Sequence, residues 1–119
     1  MTRPEERHVE RIFSFGTLQD PVVQASLFGR PLVARADSLH GWALRDIRID
    51  DAEVVALSGL DMHPALVETG STQDVVCGAI LEVTPKELVD ADVYERRTFH
   101  RISVVLESGT RAWAYVPSS

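Results

Sequence analysis

Glu95 stands at the end of a segment with the start signals of a helix and is followed by Arg96 and Arg97. A carboxylate near a helix C-terminus faces the negative end of the macrodipole, which disfavours its charged form and raises its pKa. Such a group suits general acid/base work. The same residue also reads as a solvated helix-end glutamate paired with a neighbouring arginine. The second chemical feature is Phe15-Gly16-Thr17-Leu18, between a strand and a helix start. A glycine turn there aims unpaired backbone N–H groups at one point and makes a seat for a carboxylate or oxyanion without a basic side chain. Taken alone, the turn also reads as a plain connection.

Other chemistries find little in the chain. His8, His40, His63 and His100 show no ligand spacing of the HxxxH kind, and Cys77 alone does not complete a zinc site with them. Ser14 lacks a GxSxG setting, and neither a P-loop nor a GxGxxG is present. No metal and no organic cofactor is expected. Cys77, inside the apolar run Asp74 to Val83, reads as a small buried side chain and not as a reactive thiol.

The elements that must position Glu95 and the turn follow from punctuation. Residues 1–10 are charged, contain Pro4 and read as a solvated tail, leaving residues 11–119 as a single domain. Arg11 to Phe15 suits a strand ended by Gly16. Asp20-Pro21 opens a short helix, PVVQASLF, that Gly29 stops. From Pro31 to Val67, short apolar runs broken by Gly41, Asp50, Asp51, Gly59 and Pro64 suit strands. DVVCGAILEV, Asp74 to Val83, is of strand length, with Gly78 as a bulge or a point of close approach. Thr84, Pro85 and Glu87 form a capping box for a helix over about Pro85 to Tyr94. Alternation from Phe99 to Glu107, the Ser108-Gly109-Thr110 turn and RAWAYV predict a closing hairpin. Trp42, Trp113 and Tyr115 are expected to pack in the core more than to line a pocket. The sum is an α+β fold, a compact, mixed, β-barrel-like sheet with about two short helices.

At 119 residues and 45% hydrophobic content the chain suits one core. A net charge of −6 leaves no basic face for nucleic acid or an anionic membrane, and no segment has the apolar length of a membrane span. A lone cysteine and a charged N-terminus without a signal-like stretch point to the cytoplasm. The oligomeric state is not legible.

The ordered strings FSFGTLQDP (13–21), HPAL (63–66), VVCGAILEVT (75–84), ADVYERRTFHR (91–101) and AWAYV (112–116) resemble the gamma-glutamylcyclotransferase-like, or AIG2-like, family, nearly throughout from Ile12 onward. The resemblance implies a compact barrel-like fold in which the turn and the glutamate meet at one cavity. It further implies that Phe15, Gly16, Thr17 and Leu18 line the substrate site, that Phe99 lies beside it, and that Glu95 is the acid/base. The implied reaction is a cofactor-free acyl transfer, formally a transferase or lyase step. The α-amine of a small anionic γ-glutamyl compound attacks its own γ-carbonyl, giving 5-oxoproline and a free amine. Phe15 and Phe99 stand where the family often has tyrosine, and Arg96 where a glycine is common. Those differences keep two alternatives open, a non-catalytic small-ligand-binding or interaction domain of the same fold and chemistry on another amide.

Overall fold

The computed structural model describes residues 9–48, 62–96 and 98–118. The expectations for residues 1–8, and those resting on Asp50, Asp51 and Gly59, lie outside the described residues. Among the described residues, seven strands and two α-helices follow in the order β1 (Glu10–Ser14), a 3-10 turn (Thr17–Gln19), α1 (Pro21–Phe28), β2 (Ala34–His40), β3 (Trp42–Arg48), β4 (Met62–Glu68), β5 (Val75–Val83), α2 (Pro85–Glu95), β6 (Phe99–Val105) and β7 (Arg111–Pro117). The local signals act as chemistry requires. Asp20 accepts a hydrogen bond from Val22 N, Pro21 takes the first helical position, and Gly29 closes α1 with a left-handed φ of 72°.

Five strands form one sheet in the order β2-β5-β1-β7-β6, while β3 and β4 pair only with each other among the described residues. Neighbours in the large sheet run antiparallel except β1 and β7, which are parallel with Ile12 beside Trp113. The sheet is not closed into a barrel, which corrects the expected architecture. It curls until Glu107 N donates to Ser38 O at 2.8 Å, and among the described residues no ladder forms beyond that bond. The strands that would extend the curl, β3 and β4, spend their backbone groups on one another.

Strand alternation sorts the side chains into two cores. On one face Phe13, Ile80, Val104, Ala114 and Val116 meet Leu66 of β4, with Trp42 packed at the margin. On the other, Ile12, Leu81, Val83 and Tyr115 meet Leu18, Leu88 and Ala91 beneath the helices. The fold is therefore layered, helices over the five-stranded sheet over the β3–β4 pair. Gly78 is the point of close approach between β5 and β1, because a Cβ there would overlap the Ser14 carbonyl and the Phe13 ring. Cys77 is exposed, contrary to the expectation of burial. Its face of β5 is covered at Ala79, Leu81 and Val83, but the helices do not extend over Val75 and Cys77. No helix among the described residues is long and apolar enough to cross a membrane.

Candidate functional site

The position of Glu95 is set from the opposite end of its helix. Thr84 Oγ1 accepts from Glu87 N at 3.1 Å, and Glu87 Oε1 accepts from Thr84 N at 2.8 Å, so both arms of the capping box are made. The same carboxylate receives a fork from Arg30, Nε to Oε2 at 2.8 Å and Nη2 to Oε1 at 2.7 Å, which ties the segment after α1 to the start of α2. Arg30 holds the Glu87 carboxyl below its usual pKa although its burial acts the other way. From this anchor α2 runs to Glu95 over the helix-side core, burying Leu88 and Ala91.

At the far end, Tyr94 Oη lies 3.2 Å from Thr17 Oγ1, which joins the last turn of α2 to the glycine turn. Glu95, the next residue, is half-buried, and burial pushes its pKa from 4.5 up to about 7. The direction is the one expected at a helix end, but the cause is loss of water around the carboxylate. Among the described residues that carboxylate has neither an ion pair nor a hydrogen bond. A solvated glutamate paired with arginine would have the opposite shift.

Gly16 has φ −140° and ψ −137°, so no left-handed backbone requires glycine, and an added Cβ would meet no atom within 4 Å. Its N–H donates to Ser14 Oγ at 3.3 Å. The turn is closed by Gln19 N to Gly16 O at 3.0 Å and Asp20 N to Thr17 O at 2.9 Å. The amides of Thr17 and Leu18 have no acceptor among the described residues. Leu18 is buried in the helix-side core, Phe99 packs against that same core, and Thr17 is exposed. Phe15 packs against the core on the other face of the sheet, with Trp42 and Ile102. Thr17 and the end of α2 are thus brought together, with Phe99 on the same face as Glu95, while Phe15 is directed away.

A set of polar residues to which sequence reasoning gave no role lies under the same part of α2. Tyr115 Oη donates to Asp92 Oδ1 at 2.6 Å, and Arg101 Nε donates to both Asp92 oxygens at 2.9 and 3.1 Å. The Arg101 guanidinium lies 4.2 Å from the centroid of the Trp113 ring, whose Nε1 donates to Glu10 at 3.0 Å. Burial, then the bond to Asp92, drives the Tyr115 pKa far above its usual value. Two signals were available in the sequence. The hairpin register places Arg101 directly across from Tyr115, and Asp92 is three residues before Glu95, on the same side of a helix. A shallow groove of about 100 Å³ lies elsewhere, lined by Val33, Arg35, Ile80 and Glu82.

This arrangement of layers recurs in solved structures. A solution structure of an Arabidopsis thaliana protein matches with a TM-score of 0.73 at 21% identity, over 98% of this chain and 66% of that one. A human protein described as uncharacterised matches with 0.74 at 12%, over 93% and 68%. A structure described as gamma-glutamyl cyclotransferase matches with 0.70 at 10%, over 94% and 68%. The chain thus spans about two thirds of the length of these structures, and at such identities the likeness concerns the fold. No curated protein matches the sequence. The sequence profile described as gamma-glutamyl cyclotransferase, AIG2-like, matches residues 12–119, from β1 through the closing hairpin, and by that match the chain belongs to this family.

Proposed function

We propose that the protein is a cyclotransferase that closes a γ-glutamyl amine or amide to 5-oxoproline and releases the amine, with Glu95 as general acid/base. One observation carries this reading. A half-buried carboxylate without an ionic partner among the described residues, with a pKa near 7, ends the helix that Tyr94 ties to the glycine turn. At neutral pH such a group both accepts and returns a proton. Nucleophile and electrophile belong to one substrate, so the protein must fold that substrate, remove a proton from its α-ammonium and stabilise the oxyanion. Glu95 takes one ammonium proton and passes it to solvent. The amine nitrogen then bonds to the γ-carbon, Glu95 takes a second proton from that nitrogen, and it delivers this proton to the departing nitrogen as the C–N bond to the leaving amine breaks, leaving the lactam N–H. The free amides of Thr17 and Leu18 beside Gly16 supply donors for the substrate carboxylate or the oxyanion. Phe99 contributes apolar lining. Phe15 acts from beneath, by fixing the strand that leads into the turn.

The test is release of 5-oxoproline from a panel of γ-glutamyl amines and γ-glutamyl amino acids. Wild type turns over at least one of them. Glu95→Gln, which keeps the side-chain size but accepts no proton at neutral pH, lowers that rate by about 10²-fold or more. Ligand binding followed by thermal shift survives in the variant. Binding without 5-oxoproline in the wild type would refute the enzyme and leave a ligand-binding domain.

A further inference from the structure

The curled sheet has a seam between its edge strand β2 and the turn from β6 to β7, and three contacts cross it at one end. Glu107 N donates to Ser38 O at 2.8 Å. Asp37 accepts from Ser108 at both of its oxygens, from N at 3.3 Å and from the hydroxyl. His40 makes the third contact, with Nε2 2.9 Å from Glu107 Oε1, while its Nδ1 lies 3.0 Å from the Thr72 carbonyl oxygen. A carbonyl and a carboxylate only accept, so both ring nitrogens must donate, and only the imidazolium does so. A neutral ring has one N–H and would turn a lone pair toward one of the two oxygens.

We propose that His40, with a proton on each ring nitrogen, is a pH-dependent clasp that shuts this seam by tying β2 to the 69–74 connection and to the β6–β7 turn, and that loss of one proton loosens the turn. Of the three crossings it alone titrates near neutrality. The bond to the Thr72 carbonyl, then the bond to Glu107, raises the His40 pKa above its usual 6.5. Burial opposes the charge on Asp37, but the bonds from Ser108 and Ser38 outweigh it and keep that carboxyl below its usual pKa. For His40 the sign follows from the raised value. Its contribution is complete below 6.5, where the unfolded chain is also protonated, and is lost as pH rises through the folded pKa. What the clasp restrains is the turn that begins at Leu106, which is buried in the core facing β4 and whose N–H donates to Thr110 O at 2.9 Å. The charged groups on the elements around His40 are Glu107 of the turn, Asp74 before β5, Glu68 at the end of β4, Arg111 of β7, and Arg35 and Asp37 of β2. Of these six, Glu107 is the one that acts on its ionisation. The clasp is independent of the proposed cyclotransferase reaction.

The experiment is an NMR titration of the wild type and of His40→Gln from about pH 5 to about pH 9, read at the His40 ring nitrogens and at amide-exchange protection corrected for base catalysis. In the wild type both ring nitrogens carry protons at about pH 6.5, where a free imidazole is half neutral, and they titrate above it. Protection of the Glu107 N–H falls about two- to fivefold through that titration, the scale of an exposed ion pair. His40→Gln cannot titrate, so the fall is read as the difference between the two proteins, which removes the effect of Glu95 and other groups on global stability. At the Glu82 N–H, bound to Val33 O before the other end of β2, the two proteins follow pH alike. A His40 ring that is mostly neutral at pH 6.5 would overturn the proposal without any substitution. Glu107 protection that follows the same course in both proteins, or a difference of equal size at Glu82, would overturn it as well.

Discussion

Replacing Glu95 by glutamine should make the protein more stable at high pH. The unfolded chain ionises this carboxyl near 4.5 and the folded chain near 7, so between those values the native state holds the extra proton. Stability therefore falls as pH rises through that window, and the penalty is complete above it. Each tenfold difference in ionisation is worth about 1.4 kcal/mol, which puts the ceiling at about 3 kcal/mol. Glu95 keeps part of its surface in water, so about 1 to 2 kcal/mol is the expected gain for Glu95→Gln at pH 8.5. Below pH 4 both proteins carry a neutral group and the difference should vanish. Urea denaturation of both proteins at half-unit steps from pH 4 to 8.5 measures this directly. A stability difference that does not change with pH, or a glutamine variant that is weaker at pH 8.5, would refute the claim that burial sets the protonation of Glu95.

Other outcomes follow from the same contacts. The rate of 5-oxoproline formation should rise with pH through about 7 as Glu95 becomes able to accept a proton. Thr84→Ala removes one arm of the capping box and should cost about 1 kcal/mol in urea denaturation. The Glu87 carboxyl is held below its usual pKa, so its contribution is present above the unfolded value and lost as pH falls through the folded one. Arg30→Ala should flatten that acid limb. Gly78→Ala should destabilise the protein by about 1 to 3 kcal/mol, since the methyl group meets the Ser14 carbonyl and the Phe13 ring. Gly16→Val, whose Cβ meets no protein atom within 4 Å, should melt like the wild type yet lose the ligand that contacts the turn.

What the sequence made legible were the features written in neighbouring residues. Asp20-Pro21 and Gly29 bound α1, Thr84-Pro85 with Glu87 starts α2, and Ser108-Gly109-Thr110 turns β6 into β7. Each depends on a few backbone groups seeking local partners. The strand order was not legible, because the neighbours of β1 are chosen by which side chains fill two cores at once, and nothing in Ile12 or Trp113 names the other. Cys77 shows the same gap. An apolar run reads as buried throughout, yet the layer above it ends before reaching that residue. At the site, Glu95 and the turn stood out by motif. Asp92, Arg101 and Tyr115 did not, since each has an ordinary role until hairpin register and helix spacing are combined.

The parallel pairing of β1 with β7 has a consequence for how the chain is made. Ile12 leaves the ribosome early and Trp113 late, yet they sit side by side in the middle of the sheet. Until residues 111–117 emerge, β1 has one partner and an open edge, and neither Tyr115 nor Arg101 is in place beneath α2. Contacts this distant in sequence form slowly, because a long loop must close before they bring any gain. A chain stopped at residue 110 would therefore not be a smaller version of this protein. It would lack both the strand that divides the sheet and the tyrosine bonded to Asp92, and the open edge of β1 would stay available for pairing with another chain.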